Sequence, residues 1–368
     1  MRISQSETAK EVFVTATPRS SRAAGRQAEP LFGGVAEVLR REGARPIQER
    51  IFGTEEAVRN AADARAAAYG DLDDGVPPAL LVVPGGAHGP LGAVQVHAIQ
   101  SREPPAVLTE NDAPCGRMLH AGGVGYVALS GLTAPEAGAN ADQAAAVFRK
   151  AANVLRRLGG SMASVARTWF YLGDVLSWYD AFNAVRNRFF VEAGLIDRGS
   201  GKTRLPASTG IGVAPAGGAA CAMDVVALVG PNASIARYCA AGMQECAYDY
   251  GSAFSRVATA DTPGGTSVYV SGTAAIDEAG HTQHLGDAAG QIEMTLANVQ
   301  AALGDQECTD ADVVSAIAYS KTPDIQARFD REYAPRLGWP CVSVLGDICR
   351  DDLLFEVEAT ACAGARSA

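Results

Sequence analysis

Hydrophobic and polar positions along the chain follow the same order three times: strand, helix, strand, helix, strand, strand. Strands are predicted where apolar residues alternate or run together, and helices where they recur every three or four positions. In the first copy the pattern predicts strands over 11–17, 47–53, 79–83 and 93–99, with helices over 31–42 and 55–69. Residues 1–10 precede this pattern and are predicted to form a loose tail.

The second and third copies repeat this order with few changes. The second has predicted strands over 125–131, 165–172, 207–213 and 221–229, with helices over 142–158 and 177–193. The third has strands over 267–273 and 313–320 and helices over 287–303 and 323–337, and it closes with a strand pair within 341–361. Short loops between the copies are expected over 101–113 and 231–245, because turn-forming residues cluster there.

Local sequence matches support the repeat. The segments VAEVLRREG (35–43), AANVLRRLG (151–159) and LANVQAALG (296–304) take the same place in the three copies. The spacing of roughly 120 to 140 residues is far longer than that of solenoid repeats, so each copy has the size of a domain. We therefore predict an α+β fold in which each copy folds one mixed sheet with two helices on one face.

The predicted domain organisation follows from these copies. Module one, with the N-terminal tail, is expected over 1–105, module two over 115–232 and module three over 240–368. The hydrophobic share of 48% is enough for cores of this number and size.

The closing strand pair of the third copy carries the first candidate chemistry. Residues 341–361 are predicted to form a hairpin with a tight polar corner at 349–352. Glu356 and Glu358 lie two apart and therefore share one face of the last strand. A carboxylate shielded from water there has a raised pKa and becomes a candidate proton donor. The alternative is an ordinary solvated strand face.

Charge and composition exclude several function classes. The net charge of −10 and the isoelectric point near 5.1 argue against a nucleic-acid surface, although a local basic pocket for a small anion remains compatible with them. No apolar stretch has the length of a membrane span, so no membrane partner is expected. The eight cysteines show no CxxC pair and no zinc spacing, which favours a reduced, cytoplasmic protein.

No metal and no cofactor are predicted. His281 and His284 are three apart in a loop before a predicted helix, and the pattern supplies no third ligand beside them. A role in ordering that loop, with Asp287 as the helix cap, is the favoured interpretation.

The element order resembles a known fold. Ser-Gly at the end of the first strand and the pattern [E/D]-x-[E/V]-A on the last strand resemble the Rid (YjgF) fold. Single-module Rid proteins are trimers with sites at subunit interfaces. The resemblance therefore implies three tandem Rid-like modules that form a pseudo-trimer within one chain, either as a monomer or within a homo-oligomer.

A narrower resemblance covers roughly the C-terminal two thirds of the chain. LPASTGIG (205–212), VYVSGTAAI (268–276), GHTQHLGD (280–287) and DICRDDLLFEVEA (347–359) resemble the chorismatases, and WFYLGD (169–174) matches more loosely. The first copy is more similar to a plain Rid module than to the N-terminal region of that family. The stretch 248–256 is also shorter than its counterpart there.

The resemblance implies an activity and a catalytic pair. Chorismatases remove the enolpyruvyl ether of chorismate as pyruvate, and protonating the methylene carbon of an enol ether needs a shielded carboxylic acid. The motif places that acid at Glu356. Cys349 and Gly272 match the family branch that forms 3-hydroxybenzoate. A buried, inert cysteine and a β-bulge glycine are the alternatives for these two positions.

A dicarboxylate substrate requires cations and hydroxyl donors. Arg167 is the first candidate, because a charge among the apolar residues of its strand needs a partner, and Arg256 is the second. Tyr250 and Tyr171 are candidate phenol donors. Thr209 and Thr273 offer hydroxyls near strand ends, although they also suit ordinary strands. For the arginines and tyrosines the alternative is a surface or ion-paired residue.

Three other functions stay open at this point. One is a lyase or cyclase of specialised metabolism that uses the same scaffold on another small carboxylate. Another is a Rid-type imine hydrolase, which needs an arginine about fifteen residues before the glutamate; Cys341 stands there, and Thr209 in the second copy. The last is a ligand-binding protein without turnover.

Overall fold

The computed structural model describes residues 1–6, 9–18, 27–85 and 89–367. These residues fold into three units, each built from one sheet and its helices. Unit one contains the strands and helices β1 (Arg2–Gln5), β2 (Lys10–Ala16), α1 (Ala28–Glu42), β3 (Arg45–Gly53), α2 (Glu55–Tyr69), β4 (Ala79–Val82) and β5 (Leu91–Gln100).

Unit two has the same element order with additional strands. It contains β6 (Ala106–Glu110), β7 (Ala113–Ala121), β8 (Val124–Leu132), α3 (Asn140–Arg157), β9 (Val165–Leu172), α4 (Val175–Glu192), β10 (Ala207–Ile211), β11 (Ala214–Pro215) and β12 (Cys221–Val229). β11 leaves its own sheet and pairs with β4 of unit one.

Unit three completes the chain. It contains β13 (Ile235–Tyr238), β14 (Val257–Thr262), β15 (Gly265–Ala274), α5 (Ala288–Gly304), β16 (Val313–Ser320), α6 (Pro323–Arg328), α7 (Ala334–Leu337), β17 (Cys341–Leu345), β18 (Phe355–Cys362) and β19 (Arg366–Ser367). A π-helical turn, Phe329–Tyr333, separates α6 from α7, so the predicted helix 323–337 is not continuous. Pro335 cannot donate a helical N–H bond, which explains the irregular backbone there.

The three sheets share one strand order. In units two and three the orders are β10-β9-β12-β8-β7-β6 and β17-β16-β18-β15-β14-β13, and unit one follows the same scheme from β4 to β1. In each unit the pair at one edge is parallel and the remaining pairs described here are antiparallel. The repeat predicted from the sequence is therefore a repeat of topology.

The predicted hairpin at 341–361 is wrong. β17 pairs with β16, and β16 pairs with β18, so one strand lies between the two segments. The connection over 346–354 is long enough to cross that strand, and the polar corner at 349–352 is part of it. The same strand insertion separates β4 from β5 and β10 from β12.

Segments predicted as a tail and as loops contain strands. β1 forms within residues 1–10 and pairs with β2 and β19. β6 and β13 lie within 101–113 and 231–245 and extend the sheets of units two and three. These strands are short and only half-buried, so their hydrophobic pattern is weak.

The core is divided between the two faces of the sheets. Helices cover the outer face of each sheet and form a separate apolar cluster in each unit. The inner faces of all three sheets meet in one shared cluster, to which Phe52, Tyr171 and Tyr319 contribute from equivalent strands. Because the three units pack around this common centre, the chain is an intrachain pseudo-trimer.

The prediction that all cysteines are reduced is wrong for one pair. Cys239 and Cys246 form a disulfide with their Cα atoms 4.7 Å apart. It closes a loop between β13 and β14, where neither cysteine carries a spacing signal. The other six cysteines are free thiols.

Among the described residues, the helices are all too short or too polar to cross a membrane.

Candidate active site

A small cleft of about 60 Å³ opens between unit two and unit three. Unit two contributes side chains from α4 and β10, and unit three contributes β15, β18 and the segments before β14 and β18. The lining residues are Tyr179, Arg186, Ser208, Gly210, Tyr250, Ser252, Phe254, Arg256, Gly272, Ala274, Ile276, Cys349, Arg350, Leu353 and Glu356.

Glu356 lies at the inner end of this cleft and is only 5% exposed. On β18 its neighbours Phe355 and Val357 face the helix-covered core, so strand alternation turns Glu356 toward unit two. Across the ladder from β18, the register of β15 shifts between Val270 and Thr273, which places Gly272 in an irregular position. A Cβ atom on Gly272 would overlap Oε1 of Glu356. The carboxyl group therefore occupies the space of the missing side chain.

Burial sets the protonation of Glu356. Loss of solvation raises its pKa to about 8, and the nearby carboxylate of Glu358 contributes in the same direction. Arg167 and Arg256 oppose this shift without cancelling it. Glu356 is therefore mostly protonated at neutral pH, as a general acid requires.

The equivalent positions of units one and two carry alanine. Glu356 pairs with Tyr319 on β16, and the same ladder positions are Ala222 with Tyr171 and Ala93 with Phe52. Asp224 and Gln95 occupy the ladder positions that match Glu358. At this ladder position the carboxyl group is specific to unit three.

Arg256 is the first of three arginines in the cleft. Its Nη2 donates to the hydroxyl oxygen of Tyr250 at 2.5 Å, and its Nε donates to the carbonyl of Glu245 at 3.0 Å. The guanidinium also lies 5.4 Å from the ring centroid of Phe254. These contacts hold a buried cation in place while it lines the cleft.

Arg186 reaches the cleft from α4. Phe182 and Phe190 lie four residues before and after it, so all three share the buried face of the helix. Nη2 donates to Oδ1 of Asn183 at 2.6 Å, whereas Nε is buried and finds no hydrogen-bond partner among the described residues. A buried guanidinium with a free donor favours an anionic ligand.

Arg350 is placed by the connection between β17 and β18. Its Nη1 donates to the carbonyl of Gly280, and its guanidinium lies 5.5 Å from the ring centroid of Tyr250. This residue is half-buried on the cleft wall.

Cys349 also lines the cleft. Burial raises the pKa of its thiol to about 12, and Glu356 adds to the shift. A nucleophilic role requires a lowered pKa. The structure gives the opposite direction, so the thiol is neutral in this environment.

The residues predicted from the sequence separate into two groups. Glu356, Cys349, Gly272, Tyr250 and Arg256 all line the cleft.

The other four residues predicted from the sequence lie behind the cleft. Arg167 is 1% exposed and donates to Glu358 at 2.8 Å and to Thr209 Oγ1 at 2.5 Å. Thr273 donates to the carbonyl of Ser271 at 2.9 Å. Tyr171 is fully buried in the shared core. These four side chains are not part of the cleft surface.

Two cleft residues were missed in the sequence. Arg186 interrupts the apolar face of α4, and that position was a detectable signal. Tyr179 lies seven residues earlier and approaches the same wall: its ring is 3.7 Å from where a Cβ on Gly210 would be. Aromatic residues are common on buried helix faces, so Tyr179 carried no distinct signal.

The structure describes no group of three or more His, Cys, Asp or Glu side chains able to hold a metal. His281 and His284 lie in the loop before α5, and Asp287 caps that helix by accepting from Ala289 N at 3.1 Å. The predicted cap is confirmed.

Comparisons with known proteins agree with this fold. A chorismatase from Streptomyces hygroscopicus is 30% identical over 240 residues, which cover 61% of this chain and 68% of that protein. A chorismatase from Streptomyces rapamycinicus is 31% identical over 243 residues, covering 61% and 71%. No protein-family model matches the chain.

Structural similarity extends over the whole chain. A chorismatase crystal structure matches with a TM-score of 0.61 at 20% identity, covering 98% of this chain and 100% of that one. A YjgF-family protein, Rv2704 from Mycobacterium tuberculosis, matches 35% of the chain with a TM-score of 0.28. The chorismatase match includes unit one at the level of the fold.

Three tandem Rid-like units, with a buried acid and three arginines in a cleft between two of them, define the class of this protein. With the sequence similarity, the chain belongs to the chorismatase family.

Proposed function

We propose that this protein cleaves the enolpyruvyl ether of chorismate, with Glu356 as the acid that protonates the methylene carbon. The observation that carries the proposal is the buried, protonated Glu356 facing a cleft that holds three arginines. Once the methylene carbon is protonated, the ether oxygen leaves with the bonding electrons and becomes the keto group of pyruvate.

The charges of the cleft suit a dicarboxylate. Arg186, Arg256 and Arg350 line it together with one acidic residue, which is neutral when protonated. Guanidinium groups bind carboxylates through paired hydrogen bonds, and Arg186 keeps an unused donor. The two carboxylates of the substrate would therefore bind to these arginines, with Tyr250 as a neighbouring phenol donor. Gly272 makes room for the Glu356 carboxyl group beside the reacting atoms.

We further propose 3-hydroxybenzoate as the aromatic product. Cys349 and Gly272 are the residues that resemble the branch forming this product, and both lie beside Glu356. Chorismate has the same atoms as pyruvate and hydroxybenzoate together, so no water is consumed overall. One route displaces pyruvate by the neighbouring ring hydroxyl to give an epoxide, which then opens with loss of a ring proton. The neutral Cys349 thiol would exchange a proton in that second stage, in place of a thiolate attack.

A direct assay tests both parts. Purified protein is incubated with chorismate, pyruvate is followed with a coupled dehydrogenase, and the aromatic product is identified by chromatography. We expect pyruvate and 3-hydroxybenzoate in equal amounts, without incorporation of ¹⁸O from labelled water into the benzoate. Incorporation of one ¹⁸O into a dihydroxy product would refute the product assignment while leaving ether cleavage intact.

Controls separate the remaining functions. Glu356→Gln should lose pyruvate release, whereas Glu192→Gln, a surface acid at the end of α4, should keep it. No pyruvate above the uncatalysed background would refute the chorismate assignment. Parallel incubations with other enol ethers and with imines of amino acids then distinguish another lyase or an imine hydrolase, and saturable binding without turnover indicates a binding protein.

A further inference from the structure

A second buried carboxylate lies next to the proposed acid. Glu358 is 4% exposed and occupies the same face of β18 as Glu356. Its Oε2 accepts from Nη2 of Arg167 at 2.8 Å, and its Oε1 accepts from Nε1 of Trp169 at 2.8 Å. With both oxygens bonded to donors from unit two, this carboxylate is held in place as the ion-pair partner of Arg167.

Arg167 links this carboxylate to the wall of the cleft. It lies with its guanidinium carbon 4.6 Å from the ring centroid of Trp169, and its Nη2 also donates to Thr209 Oγ1. The methyl carbon of Thr209 lies 3.1 Å from the place of a Cβ on Gly272. The ion pair is thus packed directly behind the glycine that makes room for Glu356.

We propose that Glu358 is a positioning residue that offsets the charge of the buried Arg167 and so keeps Glu356 in its protonated form between turnovers. This inference rests on the proposed function for its catalytic meaning. The negative charge of Glu358 disfavours a second anion on the same strand face, and Arg167 limits that effect while holding Glu358 in place. Neither residue contacts the cleft, so neither would touch the substrate.

Other groups also face Glu356 and must stay constant in a test. They are Tyr319 on β16, Tyr179 on α4, Arg256 before β14 and Cys349 before β18. The two tyrosines and the thiol are neutral because burial raises their pKa values. The charges that line the cleft with Glu356 are Arg186, Arg256 and Arg350, and they are unchanged in the variants below.

The experiment compares Glu358→Gln with the double variant Arg167→Met/Glu358→Gln. Removing Glu358 alone leaves the Arg167 cation unbalanced, so we expect the basic midpoint of the kcat profile to move to lower pH by about one unit or more. This is roughly a twofold loss of kcat at pH 7 and close to a tenfold loss at about pH 9, restored at lower pH, with a much smaller change in KM. Removing both charges should return the midpoint toward that of the wild type.

The protonation of Glu356 is also measured directly, without turnover, and the folding of each variant is checked. The carbonyl band of protonated Glu356, identified by infrared difference against Glu356→Gln, is titrated in each protein. Glu11→Gln, which removes a buried carboxylate on β2, is the matched control and should not move the midpoint. Circular dichroism and thermal unfolding confirm that each variant is folded.

The outcomes are distinct. A Glu358→Gln variant with lower kcat but an unmoved Glu356 midpoint in both readouts would overturn the inference and leave a packing role. A double variant displaced as far as the single one would also overturn it. An infrared midpoint that shifts as expected in a protein without chorismate turnover would support the inference and refute the proposed function.

Discussion

Gly272 and Glu356 share one small volume at the end of the cleft. A Cβ atom on Gly272 would overlap Oε1 of Glu356 and lie 3.1 Å from its carboxyl carbon. The glycine is therefore required by the position of the acid rather than by backbone conformation. This relationship connects an irregularity in β15 with the proposed proton donor on β18, and it predicts that a single added methyl group at Gly272 would strongly impair the site.

Gly272→Ala should displace the Glu356 carboxyl group and lower kcat for pyruvate release by about two orders of magnitude. A misplaced acid loses most of the 10²–10⁴-fold that general acid catalysis supplies. Steady-state kinetics with chorismate measure this effect.

Gly210→Ala is the matched control. The added Cβ would lie 3.7 Å from the Tyr179 ring, which is an ordinary contact distance. We expect a much smaller effect there. Equal losses in the two variants would contradict a specific role for the Gly272–Glu356 contact.

Arg186→Ala should raise KM by about 10- to 100-fold, because hydrogen bonds to charged groups contribute roughly 1.5–3 kcal/mol. The control is Arg188→Ala, an exposed arginine on the same helix, which should leave KM within about twofold. Arg186→Lys should recover part of the affinity if charge matters more than paired geometry. A wild-type KM for Arg186→Ala would exclude this residue from carboxylate binding.

Cys349→Ser should separate ether cleavage from aromatic product formation. Because burial raises the pKa of this thiol to about 12, it is neutral during turnover, and protonation by Glu356 does not depend on it. Pyruvate release should stay within about tenfold of the wild type while the share of 3-hydroxybenzoate falls. A complete loss of pyruvate release in a folded variant would show that Cys349 acts in the first step.

Glu356→Gln should stabilise the protein at alkaline pH. The folded-state pKa of Glu356 is about 8, above its ordinary value of 4.5, so the folded chain holds this proton between the two values. Stability that depends on that proton is lost as the pH rises through this window. The difference in unfolding free energy between variant and wild type should grow by on the order of 3 kcal/mol from pH 5 to pH 9.

Guanidinium unfolding at several pH values measures this difference. Other titrating groups, including Glu11, contribute equally to both proteins and cancel in the comparison. A constant difference across the pH range would mean that Glu356 is ionised in the fold.

Much of the fold was predictable from the sequence because the central strands are fully buried. β9, β12 and β16 appear with the predicted bounds 165–172, 221–229 and 313–320. Strand pairing was harder to predict from the sequence. β16 lies between β17 and β18, and no local sequence pattern indicates that the chain crosses over it. Short edge strands such as β6 and β13 lack the buried alternation that would mark them.

The candidate site was likewise predictable only in part. Glu356, Gly272 and Cys349 lie in motifs that resemble a known family, so the sequence brought them together. Arg167 was chosen as a charge among apolar neighbours, and it does have a buried partner, but that partner is Glu358. Which buried arginine faces the cleft depends on how unit two packs on unit three. That is a long-range property, and the single-strand pattern does not contain it.

The central claim is that Glu356 delivers the proton that breaks the enol ether. Wild-type protein and Glu356→Gln are mixed with chorismate in deuterated water, and early pyruvate is analysed by mass spectrometry. We predict pyruvate carrying one deuterium in its methyl group, released at least about 100-fold faster by the wild type. Equal rates of release by the two proteins, or pyruvate without deuterium, would contradict the account.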